Sequence, residues 1–269
     1  MVGIKNVLIH VNPNKKLVSD AWGDESETLL KVQIDNSLEM NWKPEDIMLI
    51  LNFDYEYRGI KSVVVGDNNY YKFSAGTPSK INAIVELFER GLIEDNLYWF
   101  HDFDAFQLEE LNIDLDRSKI ALTNYGVTNM DGDYGRRWST GTIFFRNGSE
   151  DVFKWIQEAV YKYQANEEVA LLALTRHNKN KILDRIDKLN ITYNFATRRR
   201  NVGEQLKITD LPIKVIHFHP FDKRPVFYTK QKYNNIEVCV LGKNPTGKPL
   251  VTERLIKIFK QHGIINFDS

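Results

Sequence analysis

Short apolar runs alternate along the chain with segments of helical period, the pattern of a mostly parallel sheet covered by helices. Val7 to Val11 predicts a first buried strand and Asp46 to Asn52 the next. Leu97-Tyr98-Trp99-Phe100-His101 is β-prone throughout and delivers Asp102-Phe103-Asp104 at its carboxyl end. Leu29, Leu30, Ile34 and Leu38 fall near helical spacing and predict a helix from Ser26 to Met40. Thr77-Pro78-Ser79-Lys80 opens a second helix: Thr77 suits a cap, Pro78 the first helical position, and Ile81, Ile84, Val85 and Phe88 share a face before Gly91 closes it. Further on, the pattern predicts a strand from Gly141 to Arg146, helices from Asp151 to Tyr163 and from Asn166 to Thr175, a strand from Ile213 to His219, and an amphipathic helix from Val251 to Gln261. Thr123 to Gly135, rich in Asn, Asp and Gly, reads as a loop over the site.

Composition narrows the class. The 269 residues are 42% hydrophobic and 27% charged, ordinary for a globular protein able to bury a sizeable core. The 36 basic and 36 acidic side chains cancel, so no global field draws the chain to nucleic acid or an anionic membrane. Cys239 is the only cysteine, which excludes a disulfide framework and a cysteine zinc site and fits a reducing cytoplasm. The apolar part of the first ten residues is too short for a signal peptide, and no apolar run approaches a membrane span. The expectation is a cytoplasmic protein with no membrane span. No internal repeat or clear linker is visible. Sequence leaves the oligomeric state open.

The chemistry centres on Asp102 and Asp104. Two aspartates one residue apart, just after a strand, offer hard oxygen ligands suited to Mn²⁺ or Mg²⁺. A solvated turn is the bland alternative, and Asp114-Leu115-Asp116 and Asp131-Gly132-Asp133 repeat the spacing. Only the first pair follows a long apolar β-run, at the strand end where open α/β sheets bind ligands. His217-Phe218-His219-Pro220 also ends a strand. A histidine there can complete such a metal site, and Lys223 can reach a phosphate. Either histidine would be equally ordinary as a satisfied core or surface residue.

Lys80 on a helix, the run into Trp99-Phe100-His101-Asp102-Phe103-Asp104, and the later His217-Phe218-His219-Pro220-Phe221-Asp222-Lys223-Arg224-Pro225 resemble, in order, glycogenin-like GT-A glycosyltransferases. The resemblance covers roughly residues 5 to 225 as motif order. It implies a GT-A fold, a Rossmann-like nucleotide-binding mixed sheet flanked by helices, over residues 1–225. Residues 226–269 would form a C-terminal extension packed on the same single domain. It also implies a nucleoside-diphosphate sugar as donor, UDP-linked in the first instance, with Mn²⁺ or Mg²⁺. The family's late histidine, a metal ligand, matches His217, and its phosphate-binding lysine matches Lys223. Pro220 replaces the family's glycine and Arg224 intrudes before Pro225, which leaves His219 as an alternative ligand.

The mechanism implied is stabilisation of a departing diphosphate by the metal at Asp102, Asp104 and His217, with Lys80 and Lys223. Lys80 stands in a first helical turn, where free amides favour an anion, and would be unremarkable as a surface lysine. If the transfer inverts configuration, a carboxylate must take the acceptor proton, and Glu167 or Glu168 is the candidate base. Both also suit a helix start electrostatically. Asn124, Tyr125, Gly141 and Thr142, together with His219, are candidates to line the sugar and acceptor pocket. His10, Val11, Asn12 and Asn52 are candidates for the nucleoside, placed by the expected fold. Arg198-Arg199-Arg200 is either a solvated loop or a site for an anion.

A sugar nucleotidyltransferase would want a glycine-rich phosphate loop after the first strand, and His10-Val11-Asn12-Pro13-Asn14-Lys15-Lys16 contains no glycine. A haloacid-dehalogenase-type phosphatase carries its DxD on an early strand, whereas this pair arrives at 102. A noncatalytic carbohydrate- or nucleotide-binding protein would not need the metal pair, late histidine and lysines together. The acceptor hydroxyl is expected on a glycan. A modified nucleic-acid base is the alternative acceptor.

Overall fold

All five residues of Leu97–His101 are buried, and a strand buried on both faces needs neighbours at both edges and cover above and below. The computed structural model describes residues 3–18, 25–125, 138–196, 202–218, 230–233, 236–239 and 251–263. In chain order they form β1 (Ile4–His10), α1 (Glu25–Glu39), β2 (Ile47–Leu51), β3 (Glu56–Tyr57), β4 (Ile60–Val64), α2 (Ser79–Glu89), β5 (Leu97–His101), β6 (Ala105–Gln107), β7 (Ile120–Asn124) and β8 (Trp138–Arg146). There follow α3 (Glu150–Tyr163), α4 (Glu167–Arg176), β9 (Ile186–Leu189), β10 (Phe195–Ala196), α5 (Val202–Lys207), β11 (Val215–His217), β12 (Lys230–Tyr233), β13 (Ile236–Cys239) and α6 (Glu253–Gln261). The chain divides into two compact units: Met1–Leu17, Pro44–Asp102 and Asn112–Leu189 in the first, and Val18–Lys43, Phe103–Leu111 and Asn190–Ser269 in the second. The expected boundary at residues 225 and 226 falls outside the described residues.

The first unit holds an eight-stranded sheet in the order β3-β4-β2-β1-β5-β8-β7-β9. β1 lies parallel to both β2 and β5, so the chain builds outward on one side of β1 and then returns to build on the other. That reversal is a topological switch point, and open α/β sheets bind their ligands at the carboxyl ends of the strands on either side of it, here β1 and β5. β8 runs antiparallel to β5, and β7 antiparallel to β8, so the sheet is mixed where the apolar pattern alone suggested mostly parallel strands. Apolar periodicity reports burial, which is the same for either strand direction.

α2, α3 and α4 bury one face each in a single core with the sheet, through Ile81, Ile84, Val85 and Phe88, through Val152, Phe153, Ile156 and Val160, and through Ala170, Leu171 and Leu174. Gly91 ends α2 as expected. With φ of 68° it lets its own N–H bond Phe88 and that of Leu92 bond Leu87, closing the last turn. The start of α2 differs from expectation: Thr77 already has helical φ and ψ and caps nothing, while the Ser79 hydroxyl accepts the Tyr71 N–H at 2.8 Å. Thr123 and Asn124, expected in a loop, belong to β7.

In the second unit β6 pairs antiparallel with β11, and β11 parallel with β10. α1 packs on β6 and α6. Its buried face carries Leu29, Leu30 and Ile34, but also Gln33, Asn36 and Ser37. Two of the polar members serve the edge of β6 that β11 leaves open, while Ser37 bonds the Gln33 carbonyl within α1: Gln33 donates to the carbonyls of Phe103 and Ala105, each at 2.8 Å, and Asn36 to that of Gln107 at 2.9 Å. Unmet carbonyls there would cost about 1–3 kcal/mol apiece. Phe106, Phe218 and Phe259 meet edge to face, with ring centroids 5.1 to 5.9 Å apart, and bring α6 into this core. Thr252 caps α6 by accepting from the Leu255 N–H. Among the described residues, no helix is long and apolar enough to cross a membrane.

Candidate active site

At the end of β5, His101 is fully buried, with Nε2 2.8 Å from Asn6 Oδ1 and its ring stacked on Trp99. The ladder continues one residue further, where the Asp102 N–H bonds the Gly141 carbonyl at 3.0 Å. Lys80, from the first turn of α2, donates to Asp102 Oδ1 at 2.9 Å and lies 3.0 Å from Glu167 Oε1. Thr140 donates its hydroxyl to the same Glu167 oxygen at 2.8 Å. Burial alone would push the Lys80 ammonium down, but Asp102 and Glu167 outweigh it and hold its pKa above the ordinary lysine value. Glu167 is the mirror case. Burial pushes it up, and the Lys80 charge, reinforced by hydrogen bonds, brings it below the ordinary carboxylate value. Lys80 is therefore a fixed, charged cross-brace between two carboxylates.

Asp102 is the last residue of the first unit, and after Phe103 comes Asp104 in the second. The antiparallel register of β6 and β11 pairs Ala105 with His217, and the Phe218 N–H bonds the Asp104 carbonyl at 2.8 Å. That register brings the His217 imidazole to Asp104, with Nε2 3.1 Å from Oδ1. Both side chains are buried, as is Asn194, whose Oδ1 lies 2.9 Å from His217 Nδ1. The carboxylate and imidazole fit a divalent cation. In an octahedral site with metal–ligand distances of about 2.1 Å, adjacent ligand atoms stand about 3.0 Å apart.

The ends of β1 and β2 carry the candidate nucleoside residues. Asn12 and Asn52 bond reciprocally, the Asn12 N–H to Asn52 Oδ1 at 3.0 Å and the Asn52 amide to the Asn12 carbonyl at 2.9 Å. Asn52 also donates to Asp67 at 2.9 Å, and Lys15 lies 3.3 Å from that carboxylate. His10 Nε2 is 3.0 Å from the Lys16 carbonyl, and burial holds the His10 pKa below the ordinary histidine value against the pull of that hydrogen bond. Val11 is buried.

Glu168, at the start of α4, approaches the Thr140 N–H at 3.3 Å and is more exposed than Glu167. The Asn166 side chain caps this helix by accepting the Val169 N–H. β8 is bulged here: Leu122 of β7 pairs with Ile143, yet the next residue, Thr123, pairs with Ser139, so Thr140, Gly141 and Thr142 have no partner on β7. Among the described residues, the buried Thr142 hydroxyl and Glu167 Oε2 have no hydrogen-bond partner. Asn124 and Tyr125 are buried at the carboxyl end of β7. His219, Lys223, the Arg198–Arg200 run and Asp131 and Asp133 lie outside the described residues.

Asn194, Gln33, Asp67 and Asn6 escaped the sequence reading. Gln33 and Asn36 left one legible signal, polar residues on the apolar stripe of α1. The other three carry no local signature, because their partners lie far along the chain.

No family model matches the chain, and no curated protein matches its sequence. Among solved structures it is similar to the galactosyltransferase LgtC in complex with donor and acceptor sugar analogs, at 12% identity over 98% of this chain and 97% of that one, with a TM-score of 0.54. It is similar also to an active-site mutant of LgtC, at 13% identity over 96% and 95% of the two chains, with a TM-score of 0.56. The apo glycosyltransferase GlyE of Streptococcus pneumoniae is matched at 13% identity over 99% of this chain and 61% of that one, with a TM-score of 0.53. At such identities the likeness is one of fold, and the fold is the GT-A type.

Proposed function

We propose that this chain is a metal-dependent glycosyltransferase that moves a sugar from a nucleoside-diphosphate sugar, in the first instance a UDP-sugar, to a hydroxyl of a glycan. The observation that carries the reading is the buried Asp104–His217 pair at 3.1 Å, with Asp104 two residues beyond Asp102, in a fold that two glycosyltransferases share. Asp104 and His217 would hold Mn²⁺ or Mg²⁺, with Asp102, two residues earlier, as the third ligand that the sequence pattern proposes. When bound, the ion offsets the negative charge that develops on the departing diphosphate.

The chain's own residues divide the remaining work. Lys80 fixes the Asp102 carboxylate and stays charged while doing so. Lys223 binds donor phosphate. His10, Asn12 and Asn52 receive the nucleoside at the carboxyl ends of β1 and β2, on one side of the switch point between β1 and β5. Asn124, Tyr125, Gly141 and Thr142, with His219, line the sugar and acceptor side. The β8 bulge and the unpartnered Thr142 hydroxyl favour that placement, since a buried hydroxyl gains from a substrate partner. Glu167 is committed to Lys80 and held ionised, a weak base. Glu168 is the better candidate to take the acceptor proton if the configuration inverts.

The test is a panel of UDP-, GDP- and TDP-sugars incubated with the chain and Mn²⁺, with release of free nucleoside diphosphate as readout. Chelator-sensitive release from one donor is the expected result. No release, combined with no Mn²⁺-dependent nucleoside-diphosphate binding by calorimetry, overturns the reading.

A further inference from the structure

Asp104 and His217 meet in a shell that holds each of them from behind. Gln33, almost fully buried on α1, donates to the carbonyls of Phe103 and Ala105, the residues on either side of Asp104. Asn194, fully buried between a short 3₁₀ turn at Ile191–Tyr193 and β10, places its amide oxygen 2.9 Å from His217 Nδ1. An amide oxygen only accepts, so Nδ1 carries the proton of that bond. With Nδ1 so committed, Nε2 is the nitrogen turned toward the Asp104 carboxylate.

We infer that Asn194 is a positioning residue of the metal site: it holds the proton on Nδ1 and the ring in place, so that His217 presents the Nε2 lone pair to the cation beside Asp104. The inference rests on the metal reading above. Histidine ligands need such a partner, because an imidazole free to rotate or to change tautomer offers a proton as readily as a lone pair. The amide oxygen performs this role without charge, so Asn194 adds no further negative charge beside Asp104. Nothing in the sequence around Asn194 marks it. Its role arises because β10 and β11 lie side by side, pairing Ala196 with His217.

The experiment measures Mn²⁺ binding by the full chain with electron paramagnetic resonance, and uses pulsed spectra to detect the nitrogen of a coordinated imidazole. The wild type is expected to show nitrogen coupling that His217→Ala abolishes. Asn194→Leu is expected to weaken binding 10- to 100-fold and to lose the nitrogen coupling, while Asn194→Asp, which keeps the acceptor oxygen, retains the coupling. Should the leucine variant fail to fold, Asn194→Ser, whose hydroxyl is too short to reach Nδ1, carries the same expectation. A folded Asn194→Leu or Asn194→Ser chain with wild-type affinity and wild-type nitrogen coupling overturns the inference and leaves the metal site standing. A folded wild type that does not bind Mn²⁺, or binds it equally well after Asp104→Ala, overturns the metal reading itself and the inference with it.

Discussion

His217 Nε2 stands 3.1 Å from Asp104 Oδ1, although 113 residues separate them in the chain. Neither is held by local sequence: β-pairing of Ala105 with His217 brings them together, and the Phe218 N–H on the Asp104 carbonyl locks the register. On the proposed metal reading, this carboxylate and imidazole hold the cation jointly, and loss of either removes most of the affinity.

Replacement of either is therefore expected to weaken Mn²⁺ binding by about 100-fold or more, in keeping with the role of direct ligands. Asp104→Asn preserves shape and His217→Ala removes the ring, and both chains are expected to stay folded by circular dichroism. An unchanged Mn²⁺ dissociation constant in the asparagine variant would remove Asp104 from the site.

Lys80 braces Asp102 and Glu167, so Lys80→Met leaves two carboxylates facing each other without their cation. Breaking a buried pair in this way is expected to cost about 3–5 kcal/mol in urea unfolding. Adding Glu167→Gln to Lys80→Met is expected to recover part of that loss, because one unpaired charge goes with it. Strictly additive losses in the double variant would show that the two side chains do not interact.

Stability is expected to fall on acidification in two stages. The His10 pKa is depressed in the folded chain, so the unfolded chain takes up a proton first as pH drops through the ordinary histidine value of 6.5. Stability is then lost below that pH, at up to about 1.4 kcal/mol per pH unit for one proton. Glu167 is likewise depressed, and its contribution is lost below the ordinary carboxylate value of 4.5. His10→Gln is expected to flatten only the upper stage. An upper stage unchanged in that variant would assign it to another group.

The two carboxylates of α4 should separate by readout. Glu168→Gln is expected to lower kcat about 10²- to 10⁴-fold with little change in Tm, as for a lost general base. Glu167→Gln, by contrast, is expected to lower Tm by unbalancing Lys80. Full turnover by a Glu168→Gln chain would take that residue out of the chemistry.

Phe259 ties α6 to Phe106 and Phe218, and its loss opens a cavity among three rings. Phe259→Ala is expected to cost about 3–5 kcal/mol. A loss below 1 kcal/mol would mean that α6 does not belong to this core.

What the sequence determined on its own was the identity of the elements. Apolar runs became strands and helical periods became helices within three residues of expectation, most closely at Leu97–His101 and at the end of α2, because burial of apolar surface writes its period directly into the chain. The aspartate pair at a strand end and the late histidine were legible for the same reason, as polar residues breaking apolar runs. Tertiary structure alone decided the antiparallel direction of β8, the bulge over Thr140 to Thr142, the bracing of Lys80 and the support of His217 by Asn194. Each depends on which strand or side chain arrives opposite another from far along the chain. A period of burial is indifferent to that partner, whereas hydrogen-bond direction and buried charge are not.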